Sequence, residues 1–80
     1  MPRSRLRNRA FDLIGLARLH LITRDLEQAS ALIYEALPLT RYWMSGRVGT
    51  KLSDFHRESA RFVSVPEVCA VRDAIRGMTA

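Results

Sequence analysis

The sequence of 80 residues has one cysteine, Cys69, and no apolar run that approaches the length of a membrane span. A single thiol excludes an internal disulfide and any zinc site built from several cysteines. Because a transmembrane helix needs about 20 predominantly apolar residues, the sequence predicts no membrane span. Arg7, Arg9 and Asp12 interrupt the first segment before a secretory signal is complete. We therefore expect a cytoplasmic protein.

Acidic residues are absent from the first ten positions, whereas arginine occupies four of them: Arg3, Arg5, Arg7 and Arg9. The other seventy positions carry nine basic and eight acidic residues, so the net charge of +5 is concentrated at one end. A flexible basic arm of this kind contacts nucleic-acid phosphates. The alternative is solvated charge on the first turns of a helix. Without interleaved aromatic residues, the arm offers no surface on which bases would stack.

No segment alternates polar and apolar residues for long enough to predict a strand. Apolar residues recur instead at helical spacing, and the first helix is expected from about Ser4 to Ile22. Its apolar stripe comprises Leu6, Ala10, Leu13, Ala17 and Leu21, widened by Ile14 and Leu16. A second helix is predicted from Leu26, because Asp25 and Gln28 have the spacing of a capping box.

Proline and glycine indicate where the remaining helices end and begin. Pro38 lacks a backbone donor, so the second helix is expected to end near Leu37, with a kinked continuation through Trp43 as the alternative. Gly46 and Gly49 are expected in the next connection. Ser45 or Thr50 is then the expected cap of a third helix that contains Leu52, Phe55 and Phe62. The run 64–67, Ser-Val-Pro-Glu, predicts the start of a fourth helix, which would stop at Gly77.

Four helices joined by short turns predict an all-α fold of two antiparallel helical hairpins in a single domain, residues 1–80. Residues 10–43 match the tetratricopeptide pattern in part. The matching positions are Leu13, Leu16 and Ala17 on the first helix and Ala29, Ile33 and Ala36 on the second. Small residues there would let the two backbones approach closely. Residues 45–77 do not repeat the pattern, and we expect them to form a second, capping helical pair.

Several short stretches carry a wider resemblance: residues 9–17, 25–29, 35–37, 45–48 and 64–68. Together they resemble the C-terminal tetratricopeptide-like region of actinobacterial helix-turn-helix transcriptional regulators of the XRE type. In that family an N-terminal DNA-binding domain precedes a helical-repeat region used for self-association or for sensing ligands and peptides. The resemblance implies a short α-α superhelix that is a fragment of a larger regulator.

The resemblance also implies that the first helix of the pair lines a concave binding surface. The residues expected to face that surface are Phe11, Ile14, Arg18 and Leu21. A stripe of this kind would bind a partner helix or another copy of the chain. The alternative is internal packing against the third helix. A second apolar patch, formed by Tyr42, Trp43 and Met44, is expected either to cover the core or to bind a ligand.

No arrangement of residues predicts catalysis, a metal site or a cofactor. His20 and His56 lack neighbours at zinc-ligand spacing, and Cys69 lies among apolar residues as a small buried side chain would. The glycines at 46 and 49 lack the Lys-Ser/Thr ending of a phosphate loop. The sequence thus favours a non-catalytic protein-interaction or oligomerisation module. The alternative function is a small basic nucleic-acid-binding protein that acts through its arginine-rich N-terminal residues.

Overall fold

The computed structural model describes residues 3–40 and 46–79, with side chains from residue 8 to 40 and from 46 to 78. Four α-helices account for most of them: α1 Arg3–Ile22, α2 Leu26–Thr40, α3 Gly46–Glu58 and α4 Pro66–Thr79. A 3₁₀ turn, Ser59–Phe62, follows α3. The predicted all-α class is confirmed, since these ranges contain no strand. None of the described helices is long and apolar enough to cross a membrane.

Helices α1 and α2 form a helical hairpin whose turn is closed by backbone hydrogen bonds. The Asp25 N–H donates to the His20 carbonyl at 2.9 Å, and the Arg24 N–H donates to the Leu21 carbonyl at 3.2 Å. This pair of bonds is the Schellman motif, which requires a residue in the left-handed region. Arg24 occupies that position with φ 64°. An arginine therefore stands where glycine is usual.

Asp25 ends one helix and begins the next. Its Oδ1 accepts the Gln28 N–H at 3.4 Å, which confirms the predicted start of α2 at Leu26. Because the Asp25 N–H donates to His20, it is not available to the Gln28 side chain, and only half of the predicted capping box is made.

One apolar core joins all four helices. The α1–α2 interface is the most extensive, α3 packs on α1, and α4 packs on α2. The buried apolar residues are Ala10, Leu13, Ile14, Ala17 and Leu21 of α1; Ala29, Leu32, Ile33, Ala36 and Leu37 of α2; Val48, Leu52 and Phe55 of α3; and Val68, Val71 and Ile75 of α4. Leu16 was expected in this stripe and is instead 47% exposed. Its tetratricopeptide position is therefore not an interface position here.

Helix α2 extends to Thr40, beyond the end expected at Leu37. Pro38 is exposed, so its ring does not disturb the core, while Leu37 and Thr40 on either side of it are buried. The Thr40 hydroxyl donates to the Leu37 carbonyl at 2.8 Å. Burial of these flanking side chains outweighs the one donor that proline removes. The predicted Tyr42–Trp43–Met44 patch, Ser45 and the alternative continuation to Trp43 lie outside the described residues.

Helix α3 begins at Gly46, the residue after Ser45, which agrees with the first of the two expected starts. The alternative cap, Thr50, is inside the helix, where its hydroxyl donates to the Gly46 carbonyl at 2.8 Å. Gly46 and Gly49 were expected in the connection and instead belong to α3. Helix α4 begins one residue later than a cap at Ser64 would place it: the Cys69 N–H donates to the Val65 carbonyl at 3.0 Å, with Pro66 first in the helix. It continues through Gly77 to Thr79. These helices follow the spacing of their buried apolar residues, and the glycines within them do not end either helix.

The third helix was expected to reach Phe62 and instead ends at Glu58. Arg72 of α4 stabilises this end, since its guanidinium donates to the His56 carbonyl and, at 3.2 Å, to the Ser59 hydroxyl. A cation that binds the last carbonyls of a helix satisfies acceptors that have no partner within the helix. Helices α3 and α4 otherwise touch only sparingly. The second helical pair is thus more open than the first.

Candidate functional site

An open groove of about 870 Å³ lies between the C-terminal half of α1 and the end of α3. We call it the α1–α3 groove. Its lining residues are Gly15, Arg18, Leu19, Leu21, Ile22, Arg24, Lys51, Arg57, Glu58, Ala60, Arg61 and Phe62. The groove lies beside the packing of α3 on α1, in which Val48, Leu52 and Phe55 are buried, and residues of the 3₁₀ turn that follows α3 complete its lining.

One wall of the groove exposes large apolar side chains. Leu19 is 58% exposed and Ile22 is 77% exposed, and both belong to the last turns of α1. Phe62, at the opposite side, is half-buried and packs partly on the core. Exposed apolar residues scattered singly are ordinary, but here they border one concavity. Leu19 and Ile22 are therefore apolar side chains on one wall that water covers in the isolated chain.

The cations of the groove are of two kinds, those that pair with a carboxylate and those that do not. Arg18 donates to Glu58 twice, from Nε to Oε1 at 2.9 Å and from Nη2 to Oε2 at 2.7 Å. This hydrogen bonding lowers the pKa of Glu58 and raises that of Arg18. Asp54 adds a second carboxylate, 3.8 Å from Arg18 and 3.1 Å from Arg57. The charges of Arg18 and Arg57 are thus compensated within the chain.

The other three cations of the groove contact aromatic rings. The guanidinium carbons of Arg24 and Arg61 lie 5.9 Å and 5.3 Å from the centre of the Phe62 ring. The Lys51 ammonium is 5.2 Å from the centre of the Phe11 ring. Within residues 8–40 and 46–78, none of the three has a carboxylate at ion-pair distance. The groove therefore presents positive charge that no acidic side chain of this chain neutralises directly.

Gly15, the first residue of α1 to line the groove, leaves that end of the wall without a side chain. A Cβ added there would meet nothing within 4 Å, and its φ is not in the left-handed region. Glycine inside a helix costs about 1 kcal/mol relative to alanine. Neither close packing nor backbone conformation accounts for that cost at this position. The consequence is bare helix backbone where a ligand would approach.

The four residues predicted to face a binding surface lie in different environments. Ile14 is fully buried and Leu21 is 5% exposed, so both belong to the core, as the internal-packing alternative describes. Phe11 is half-buried under the Arg47 and Lys51 cations, 5.3 Å and 5.2 Å away. Only Arg18 offers substantial surface to the groove, because Leu21 reaches it with little of its side chain.

Three residues of α1 that line the groove but were not predicted follow predicted residues by one position. Gly15 comes after Ile14, Leu19 after Arg18, and Ile22 after Leu21. A rotation of about 100° per residue about the helix axis separates the two sets. Leu19 and Ile22 lie outside the main apolar stripe, and this is the one signal in the sequence that could have identified them as exposed.

The arginine-rich N-terminal residues are on helical backbone, because α1 begins at Arg3. Arg9 forms an exposed ion pair with Glu35 of α2 at 2.7 Å, which compensates one of the four predicted charges. The side chains of Arg3, Arg5 and Arg7 lie outside the described ones.

The remaining reactive side chains do not converge. Cys69 is exposed, contrary to the expected burial, because the adjacent Val68 and the later Val71 are the residues of α4 that face the core. His56 has its Nε2 buried without a hydrogen-bond partner, and burial, together with Arg72 and Arg76, lowers its pKa. In the described part of the chain, no three metal-ligating side chains come together.

Comparison of this chain with family models, with curated proteins and with solved structures gave no match. The geometry and charge of the α1–α3 groove are therefore the features of this chain that point to a function.

Proposed function

We propose that this chain is a non-catalytic protein-interaction module and that the α1–α3 groove is its binding surface. The observation that carries the proposal is the exposure of Leu19 and Ile22 along one wall of a groove of about 870 Å³. Transfer of such side chains out of water contributes roughly 1.5–3 kcal/mol each. A partner that covers this wall gains that free energy, and the isolated chain does not.

The proposal extends to the finer architecture. We infer that the two helical pairs stack as a short tetratricopeptide-like superhelix, similar to the C-terminal region of a helix-turn-helix regulator. The pairing of α1 with α3 and of α2 with α4 supports stacking of like helices. Three fully buried alanines, Ala17, Ala29 and Ala36, support close approach of α1 and α2. The exposure of Leu16 is a departure from the repeat pattern.

Site-specific photocrosslinking tests the proposed function directly. A photoreactive residue at position 19 lies on the groove wall, whereas the same residue at position 16, also on an exposed part of α1, does not line the groove. We expect crosslinks to a polypeptide in the source cell from position 19 and not from position 16. Crosslinks from neither position, or equally from both, would contradict an interaction through the groove.

The alternative function, binding of nucleic acid, is favoured by one observation: Arg24, Lys51 and Arg61 lack carboxylate partners in the described chain. Together with the arginines of the first turns of α1, they would contact phosphates. Such binding weakens steeply with added salt. Affinity for a DNA or RNA duplex that falls with salt and with Arg3, Arg5 and Arg7 changed to alanine would support this alternative.

A further inference from the structure

We propose that the occupant of the α1–α3 groove is an acidic, amphipathic helical segment of a protein partner. This inference rests on the proposed function and specifies its ligand chemistry. The segment would place its apolar side chains against Leu19 and Ile22, and its carboxylates near Arg24, Lys51 and Arg61. No residue of the core needs to move for this, because all five side chains are at least partly exposed.

Charge selects an acidic partner. Five cations and one carboxylate line the groove, and the carboxylate, Glu58, is already bound by Arg18. The cations without a carboxylate partner lie on both sides of the groove: Arg24 follows α1, whereas Lys51 and Arg61 belong to α3 and the 3₁₀ turn. A segment lying between them would meet positive charge along both edges. Complementary charge of this kind speeds association and excludes basic partners.

The same charge argues against a second copy of this chain as the occupant. In a two-fold symmetric dimer built on this groove, the groove of one copy faces the groove of the other copy. The cations Arg24, Lys51 and Arg61 would then oppose one another without intervening carboxylates. Like charges brought together in an interface cost free energy. The partner is therefore a different polypeptide.

The apolar wall argues against nucleic acid. A phosphate backbone would bind the cations but would make no apolar contacts with Leu19 and Ile22. These are the two most exposed aliphatic residues of α1 in the groove. Sites for single strands stack bases on aromatic rings. Phe62 is the groove's one ring, and Arg24 and Arg61 already lie against it. An amphipathic polypeptide uses both the charge and the apolar wall.

Gly15 favours a helical backbone as the form of the ligand. Bare backbone at one end of the groove's α1 wall lets a second helix come close there, as small residues do where helices pack tightly. The volume of about 870 Å³ accommodates the side chains of one short segment. Amphipathic helices bind such grooves with anchors at i, i+3 or i+4, and i+7.

The test uses the full chain and three synthetic peptides, with binding measured by fluorescence anisotropy. The first peptide forms a helix with leucines at i, i+3 and i+7 and glutamates on the flanks. The second replaces every glutamate by glutamine, and the third replaces every leucine by serine. We expect the first to bind at least about tenfold more tightly than either of the others, with affinity that falls as salt is added.

Four variants locate the binding. Ile22→Ser and Arg61→Gln change groove residues, and each should weaken binding of the acidic peptide about tenfold. Leu16→Ser and Arg9→Gln are the matched controls, because they make the same chemical changes on exposed parts of α1 outside the groove. We expect the controls to bind as the unchanged chain does. Circular dichroism checks that each variant retains its helices.

The other results overturn the inference in distinguishable ways. Equal binding of the glutamate and glutamine peptides, sensitive to Ile22→Ser, would reject the acidic partner and leave the interaction module standing. If the two control variants weakened binding as much as the two groove variants do, the result would reject the groove and, with it, the proposed function. A DNA duplex that binds through Arg61 while no peptide binds would reject both in favour of nucleic acid. Gly15→Glu gives a further check, since a carboxylate in the groove should abolish binding of the acidic peptide.

Discussion

Arg18 in the middle of α1 and Glu58 at the end of α3 are joined by two hydrogen bonds, of 2.9 Å and 2.7 Å. Their side chains are only 26% and 35% exposed, so the pair is partly shielded from water. It connects the two helices that border the α1–α3 groove. Bidentate geometry fixes orientation as well as distance. The pair therefore adds a polar link between the two walls to the apolar packing of α3 on α1.

A double-mutant cycle with Arg18→Gln and Glu58→Gln should give a coupling free energy of about 1 kcal/mol. The exposed pair Arg9–Glu35 is the matched control, and its coupling should be no more than about 0.5 kcal/mol. Urea denaturation measures both. Equal coupling in the two pairs would show that shielding and bidentate contact add nothing to the Arg18–Glu58 pair.

Acid should destabilise the chain over two pH ranges. The pKa of His56 is lowered from 6.5 by burial and by Arg72 and Arg76, so the unfolded chain binds that proton more readily. Stability is therefore expected to fall as the pH drops below about 6.5. The pKa of Glu58 is lowered from 4.5 by its hydrogen bonds with Arg18, and stability from this pair is lost below about pH 4.5.

Urea denaturation midpoints measured over about 5 pH units, from pH 8 to pH 3, would separate the two declines in stability. His56→Gln should remove the first decline and leave the second, whereas Glu58→Gln should do the reverse. A first decline that persists in His56→Gln would assign it to another group.

Arg24→Gly should stabilise the chain relative to Arg24→Ala by about 1 kcal/mol. Arg24 has φ 64°, a conformation that costs a residue with a Cβ roughly 1–2 kcal/mol and that glycine adopts without this cost. Part of the gain is offset because glycine makes the unfolded chain more flexible. Both variants lose the contact with Phe62, so that loss cancels in the comparison. Thermal melting of the two proteins makes the measurement. Equal midpoints would mean that the left-handed turn relaxes when the side chain is removed.

Gly15→Ala should raise stability by about 0.5–1 kcal/mol, because alanine restricts the unfolded chain and meets no neighbour in the folded one. Gly77→Ala also adds its methyl group into open space, but near the end of α4, where the gain should be smaller. If Gly15→Ala destabilised the chain, the open space at this position would be in doubt.

The packing register of the first hairpin is tested by adding charge at two positions. Ala29→Arg places a guanidinium in a fully buried site and should destabilise the chain by more than about 3 kcal/mol, enough to unfold a small domain. Leu16→Asp changes a residue that is 47% exposed and should cost less than about 1 kcal/mol. Circular dichroism distinguishes them, and loss of helix in both variants would restore Leu16 to the interface.

Sequence periodicity predicted the helices well, because burial of a regular apolar stripe is what holds them together. Ile22 as the end of α1 and Leu26 as the start of α2 agree with the structure. The errors fall where a local signal opposed burial. Pro38 did not end α2, since its neighbours Leu37 and Thr40 remain in the core. In the same way, α3 includes Gly46 and Gly49, which were expected in the connection before it.

The groove was beyond prediction for a different reason. The helical period assigns Leu19 to a helix but does not say which face of α1 the third helix will cover. That depends on a contact between residues far apart in the chain, such as Arg18 with Glu58, which no local pattern encodes. An uncertainty of one residue, about 100° around the axis, was enough to exchange buried Ile14 for the open position at Gly15.

The bond from Arg72 to the His56 carbonyl has a consequence for cooperativity. Together with the bond from Arg72 to the Ser59 hydroxyl, it anchors the turn that carries Phe62 to α4, although the groove itself is built on α1 and α3. Opening of the last helix would therefore release one side of the binding surface while the α1–α2 hairpin stays closed. In hydrogen exchange, the amides of residues 59–62 should exchange at the rate of α4 and not at the slower rate of α1. Occupation of the groove would then slow exchange in a helix that the ligand never touches.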